Sequence, residues 1–126
     1  MKYGFGVDIG GTAIKFGFFD TDGNLLSKWA IPTNTRDGGA HILPDIAESL
    51  EKHLLESGVS KSDVVGVGLG VPGPVGDDGT VYKCVNLGWS VFNVEEALKE
   101  LTGLNVKAGN DANVAALGEM WKGSGA

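Results

Sequence analysis

Apolar positions along the chain follow two different periods. Tyr3, Phe5, Val7 and Ile9 alternate with Gly4, Gly6 and Asp8, the period of two that marks a strand. Gly10-Gly11-Thr12 breaks the run, and Ile14, Phe16 and Phe18 then alternate with Ala13, Lys15 and Gly17 to predict a second strand. Asp20-Thr21-Asp22-Gly23-Asn24 is dense in turn-forming residues. A third strand is expected from roughly Leu25 to Ile31, ended by Pro32. The chain should therefore open with a three-stranded antiparallel meander rather than with a βαβ unit.

Beyond it the period lengthens. Leu43, Ile46, Ala47, Leu50 and Leu54 recur at helical spacing and predict a helix from about Gly39 to Glu56, with Pro44 in its first turn and Gly58 as its stop. Val64 to Leu69 reads as a buried strand, and the glycine- and proline-rich Gly70 to Gly79 as a long loop. Asn93 is placed to cap a helix carrying Val94, Ala97, Leu98 and Leu101, closed by Gly103. Leu104 to Ala108 should be a short strand, and Asn110-Asp111 should cap a last helix through Ala112, Ala115, Ala116 and Met120. The order βββαβαβα describes an α/β domain, a mixed sheet with helices packed on it, without internal repeat or linker.

Composition narrows the function. Glycine contributes 21 of 126 residues, where average usage would give about 9. Such an excess points to unusual turns or to close approach of backbone to a ligand. Ten basic against sixteen acidic residues leave a net charge of −6, with no Lys/Arg cluster, so a nucleic-acid partner is not expected. No stretch is suited to spanning a membrane, because the longest apolar run, Val64 to Val75, is interrupted by glycines and prolines. Because the strand pattern starts at once, no signal peptide is expected, and the single cysteine, Cys84, has no partner in the sequence for a disulfide or metal site. The cytoplasm is the expected compartment.

Three segments could carry chemistry. In Gly6 to Lys15 (GVDIGGTAIK) two glycines at a hairpin turn remove side chains where backbone N–H groups could converge on phosphate oxygens, and Thr12 adds a hydroxyl. Asp8 and Lys15 lie on the strand face opposite the apolar residues and could handle magnesium and phosphate. The plain alternative is a hairpin with two solvated charges. Gly68 to Gly73 spells G-x-G-x-x-G, but Pro72, Pro74, Gly76 and Gly79 follow instead of a helix, so it is not a dinucleotide fingerprint. It is either a stiff connection or a ligand loop at the end of a buried strand. Gly109 to Asn113 sits at a strand-to-helix junction, where Asn110 and Asp111 could simply be N-caps, or Asp111 could accept a proton from an attacking hydroxyl. His41 and His53 read as surface residues; Trp29, Trp89 and Trp121 read as packing, although Trp89 lies in a possible substrate loop.

Together GVDIGGTAIK, VGLGVPGPV, VNLGW and GNDANVAALGE resemble the ROK family (repressors, open reading frames, kinases), and most closely its bacterial glucokinase branch. The resemblance runs in order from Tyr3 to Ala126. It implies an actin/hexokinase-type ribonuclease-H-like fold in which two α/β domains close on ATP-magnesium and a sugar, with residues 1–126 forming the N-terminal phosphate-loop domain. By the same resemblance Asp8, Gly10, Gly11, Thr12 and Lys15 bind ATP, with Asp8 holding magnesium through water. Gly73, Pro74, Asn86, Asn110 and Asp111 border the sugar, and Asp111 is the catalytic base.

The implied reaction is ATP-dependent phosphorylation of a hexose, glucose to glucose 6-phosphate. N-acetylmannosamine or fructose kinases are alternatives, as is a sugar-responsive regulator of the same family. A homo-oligomer is expected at full length. A structural zinc site and the adenosine pocket are expected only in a C-terminal half beyond Ala126, to which Lys122 to Ala126 reads as the link. Ala13 and Gly109 depart from the larger or charged residues that glucokinases often carry there.

Overall fold

The computed structural model describes residues 2–73, 75–76, 78–82 and 87–110. Strands β1 (Tyr3–Ile9), β2 (Ala13–Asp20) and β3 (Leu25–Pro32) form the expected antiparallel meander. Its first corner is Gly10-Gly11-Thr12. Its second is held by Asp20, whose carboxylate accepts from the backbone N–H groups of Asp22 and Asn24 and from the Asn24 side-chain amide at 2.9–3.0 Å.

A distorted turn, α1 (Arg36–Gly39), follows, with Asp37 and Gly38 in the left-handed region. Helix α2 (Ile42–Ser57) then runs to Gly58, which takes the left-handed φ of 70° that ends it. Strand β4 (Val64–Val71) is parallel to β1, and β7 (Val106–Asn110) is parallel to β4. The five-stranded sheet has the order β3-β2-β1-β4-β7, mixed as expected. Helix α3 (Val94–Thr102) starts at Asn93, whose side chain accepts from the Glu96 N–H at 3.0 Å, and ends at left-handed Gly103.

The alternation read from sequence sets the two faces of the sheet. Phe5, Val7, Ile9, Ile14, Phe16, Val67, Leu69 and Val71 are buried together with Ile42, Ile46 and Leu50 of α2 and Leu98 of α3. The opposite face is dominated by glycine: Gly4, Gly6, Gly17, Gly66, Gly68, Gly70 and Gly109 all lie on it by strand register.

Some expectations need adjustment. β4 continues to Val71 rather than stopping at Leu69, because Asp8 of β1 still pairs with Gly70. Strand β7 runs through Asn110 rather than ending at Ala108, paired with Val71. The loop after β4 is stapled by an unanticipated two-stranded sheet, β5 (Thr80–Val81) with β6 (Phe92–Asn93). The expected last helix lies outside the described residues.

Candidate functional site

Strands β1, β4 and β7 are adjacent and parallel, so Ile9, Val71 and Asn110 bring three segments out at one end of the sheet. From β1 the chain turns aside into β2, whereas from β4 it leaves toward β7 on the other side. A crevice between diverging connections at carboxyl strand ends is where open α/β sheets bind ligands. The first and third segments singled out from sequence thus meet at this edge, with Gly73 of the second just past β4.

Register sets which residues share the glycine face at this end of the sheet. Lys15 pairs with Asp8, Asp8 with Gly70, and Gly70 with Gly109. The carboxylate and the ammonium therefore occupy neighbouring positions on the glycine face, opposite the buried Val7 and Ile9. Gly70 adds no side chain beside Asp8, nor does Gly109 one strand further, and among the described residues a Cβ at Gly109 would meet nothing within 4 Å. Asp8 is half-buried and Lys15 exposed.

The two glycines of the turn serve different ends. The Gly10 N–H donates to the Ala13 carbonyl at 2.9 Å, and a Cβ on Gly10 would lie 2.8 Å from that oxygen, so the closure of the turn requires glycine. Gly11 is exposed, and among the described residues a Cβ there would meet nothing within 4 Å. Neither has a left-handed φ, so glycine supplies space here rather than a special conformation. Sequence reasoning missed Thr33, which follows β3. Its N–H donates to the Thr12 carbonyl at 3.0 Å and its hydroxyl to the Gly10 carbonyl at 2.7 Å. No spacing signal links it to Gly10, 23 positions away.

Gly73 donates its N–H to the Val71 carbonyl at 2.9 Å, and no helix opens at G-x-G-x-x-G, whose first two glycines lie within β4. Pro74, Asn86 and Asp111 lie outside the described residues. Trp89 is buried, edge-on to Phe92, with its indole N–H on the Gly39 carbonyl; it is a packing residue. His53 is not the surface residue expected: it is half-buried, stacked on Trp29 at 4.3 Å and hydrogen-bonded to Ser27. His41 pairs with Asp37 at 2.7 Å. Among the described residues no three His, Cys, Asp or Glu side chains converge as a metal cluster. No helix among them is long and apolar enough to cross a membrane.

The ROK family model matches residues 4–126. The chain belongs to the ROK family. A glucokinase of Halalkalibacterium halodurans is 53% identical over 121 residues, covering 95% of this chain and 37% of that protein. An N-acetylgalactosamine kinase of a Shewanella species is 35% identical, over 96% of this chain and 38% of that protein. The crystal structure of a ROK family glucokinase from Streptomyces griseus in complex with glucose and AMPPNP superposes with a TM-score of 0.75 at 33% identity, covering 98% of this chain and 38% of that one. At 18% identity and a TM-score of 0.71, a ROK family transcriptional regulator shares the fold. The expected actin/hexokinase-type fold is therefore the observed one. The chain spans under two fifths of the length of these curated relatives.

Proposed function

We propose that this chain is the phosphate-binding domain of an ATP-dependent hexose kinase acting in the cytoplasm, with glucose as the sugar. The observation that carries the reading is the open Gly10–Thr12 turn, set at the carboxyl end of β1 with Asp8 and Lys15 side by side below it. The 53% identity to a glucokinase favours glucose over the amino sugars.

The amides of the turn and the Thr12 hydroxyl bind phosphate oxygens, and Lys15 offsets their charge. Nucleotide-bound magnesium takes one or two carboxylates and fills its remaining positions with water and phosphate. Asp8, with Gly70 next to it on β4 and Gly109 one strand further, fits that requirement, and magnesium there would neutralise phosphate charge. Asn110 holds a sugar hydroxyl, and Gly73, Pro74 and Asn86 border the sugar. Asp111 takes the hydroxyl proton as the sugar oxygen forms its bond to the γ-phosphorus. The bond from that phosphorus to the β,γ-bridging oxygen breaks, and ADP leaves.

On this reading residues 1–126 alone phosphorylate nothing, since nucleotide and sugar are enclosed only with a second domain. The test is ADP release by the full-length protein against glucose, fructose, N-acetylmannosamine and N-acetylgalactosamine. Glucose should give the highest kcat/KM. Absence of sugar-dependent ATP turnover would overturn the kinase assignment, and preference for an amino sugar would overturn the substrate.

A further inference from the structure

We propose that Thr33 is the positioning residue of the phosphate turn, aiming its amides at the nucleotide; the proposal rests on the kinase reading above. Thr33 is half-buried directly after β3 and reaches across β2 to the turn. Its two hydrogen bonds bracket Gly11: the hydroxyl holds the Gly10 carbonyl at 2.7 Å, and the N–H holds the Thr12 carbonyl at 3.0 Å.

The consequence follows from peptide geometry. In a trans peptide the C=O and the N–H point in opposite directions, and the chain has no cis bonds. Fixing the Gly10 carbonyl toward Thr33 therefore fixes the Gly11 N–H in the opposite direction, away from Thr33. Among the described residues nothing accepts from the Gly11 or Thr12 N–H. A rotation of the Gly10–Gly11 peptide would replace a donor by a carbonyl oxygen, which repels phosphate. Glycine on both sides of that peptide makes the rotation easy, so the turn needs an external anchor. The Thr33 hydroxyl supplies it, while the Thr12 carbonyl bond uses backbone that any non-proline residue would provide.

Thr33→Val removes the hydroxyl with little change of shape, and Thr33→Ser keeps it. In the full-length kinase, Thr33→Val should raise the KM for ATP roughly three- to tenfold, as expected for one net hydrogen bond. The KM for sugar and the melting temperature should stay near wild type, and Thr33→Ser should restore the KM for ATP. A second readout needs no activity: in the ligand-free protein the backbone heteronuclear NOE of Gly11 should fall in Thr33→Val and recover in Thr33→Ser. An unchanged KM for ATP and NOE in folded Thr33→Val would overturn the proposal, as would equal rises in both KM values. A wild-type protein without ATP turnover would instead overturn the kinase reading, leaving the NOE to judge Thr33 as an anchor of the turn.

Discussion

The indole N–H of Trp89 donates to the carbonyl of Gly39 at 3.0 Å, joining two loops fifty residues apart. The contact is tight enough to specify the residue. Gly39 has φ 77°, and a Cβ there would overlap the Leu87 carbonyl and lie 2.7 Å from the Trp89 ring. Gly58 has a similar φ of 70°, but a Cβ on it would meet nothing. Gly58→Ala should therefore cost about 1–2 kcal/mol, the left-handed penalty alone. Gly39→Ala adds overpacking of about 1–3 kcal/mol. Urea unfolding of the two variants should show this order, and equal losses would mean that the loops separate easily.

The Gly10–Thr12 turn offers a sharper contrast. Gly11→Val should leave the fold intact, because among the described residues nothing lies within 4 Å of a Cβ there, yet fill the space proposed for phosphate. If the full-length protein is the proposed kinase, its KM for ATP should rise at least tenfold or turnover should cease, with equilibrium sugar binding largely kept. Gly10→Val should instead lose stability through collision with the Ala13 carbonyl. Unchanged ATP kinetics in folded Gly11→Val would place the nucleotide elsewhere.

Asp111 can be tested by a change that spares a helix cap. Asn caps a helix as well as Asp does, but it cannot accept a proton at neutral pH. A positioned general base contributes about 10²–10⁴ in rate. Full-length Asp111→Asn should melt within a few degrees of wild type while its kcat falls roughly a hundredfold or more. Near-normal turnover would reduce Asp111 to a cap.

His53 should make the domain acid-sensitive. Burial among Phe5, Phe18 and Trp29 holds its pKa below the ordinary 6.5, and the nearby Glu56 charge only partly offsets this. The unfolded chain therefore binds the proton more readily than the folded one. The stabilisation is fully present above the unfolded pKa and declines as pH falls below about 6.5 toward the lower folded value. Urea unfolding between pH 5 and 8 should show this loss in wild type and a smaller one in His53→Gln. Identical pH profiles would remove His53 as its source.

What the sequence determined by itself was local. The period-two runs through Phe5 and Phe16 and the turn chemistry of Asp20 to Asn24 specify the meander. The Asn93 cap and the glycines at 58 and 103 bound the helices within a few residues. Each signal lies within one turn or one strand, where steric and hydrogen-bonding preferences act between near neighbours. Asp8, Gly10, Gly11, Thr12 and Lys15 were legible as a group for the same reason, because they share one hairpin. Only the tertiary structure decided that Gly70 lies beside Asp8 and Gly109 beside Gly70, that Thr33 grips the turn, that His53 stacks on Trp29, and that Gly39 receives Trp89. These partners are 20 or more positions apart in the chain. They meet through strand register and helix packing, which depend on how the whole core fills its volume rather than on any residue's own conformational preference.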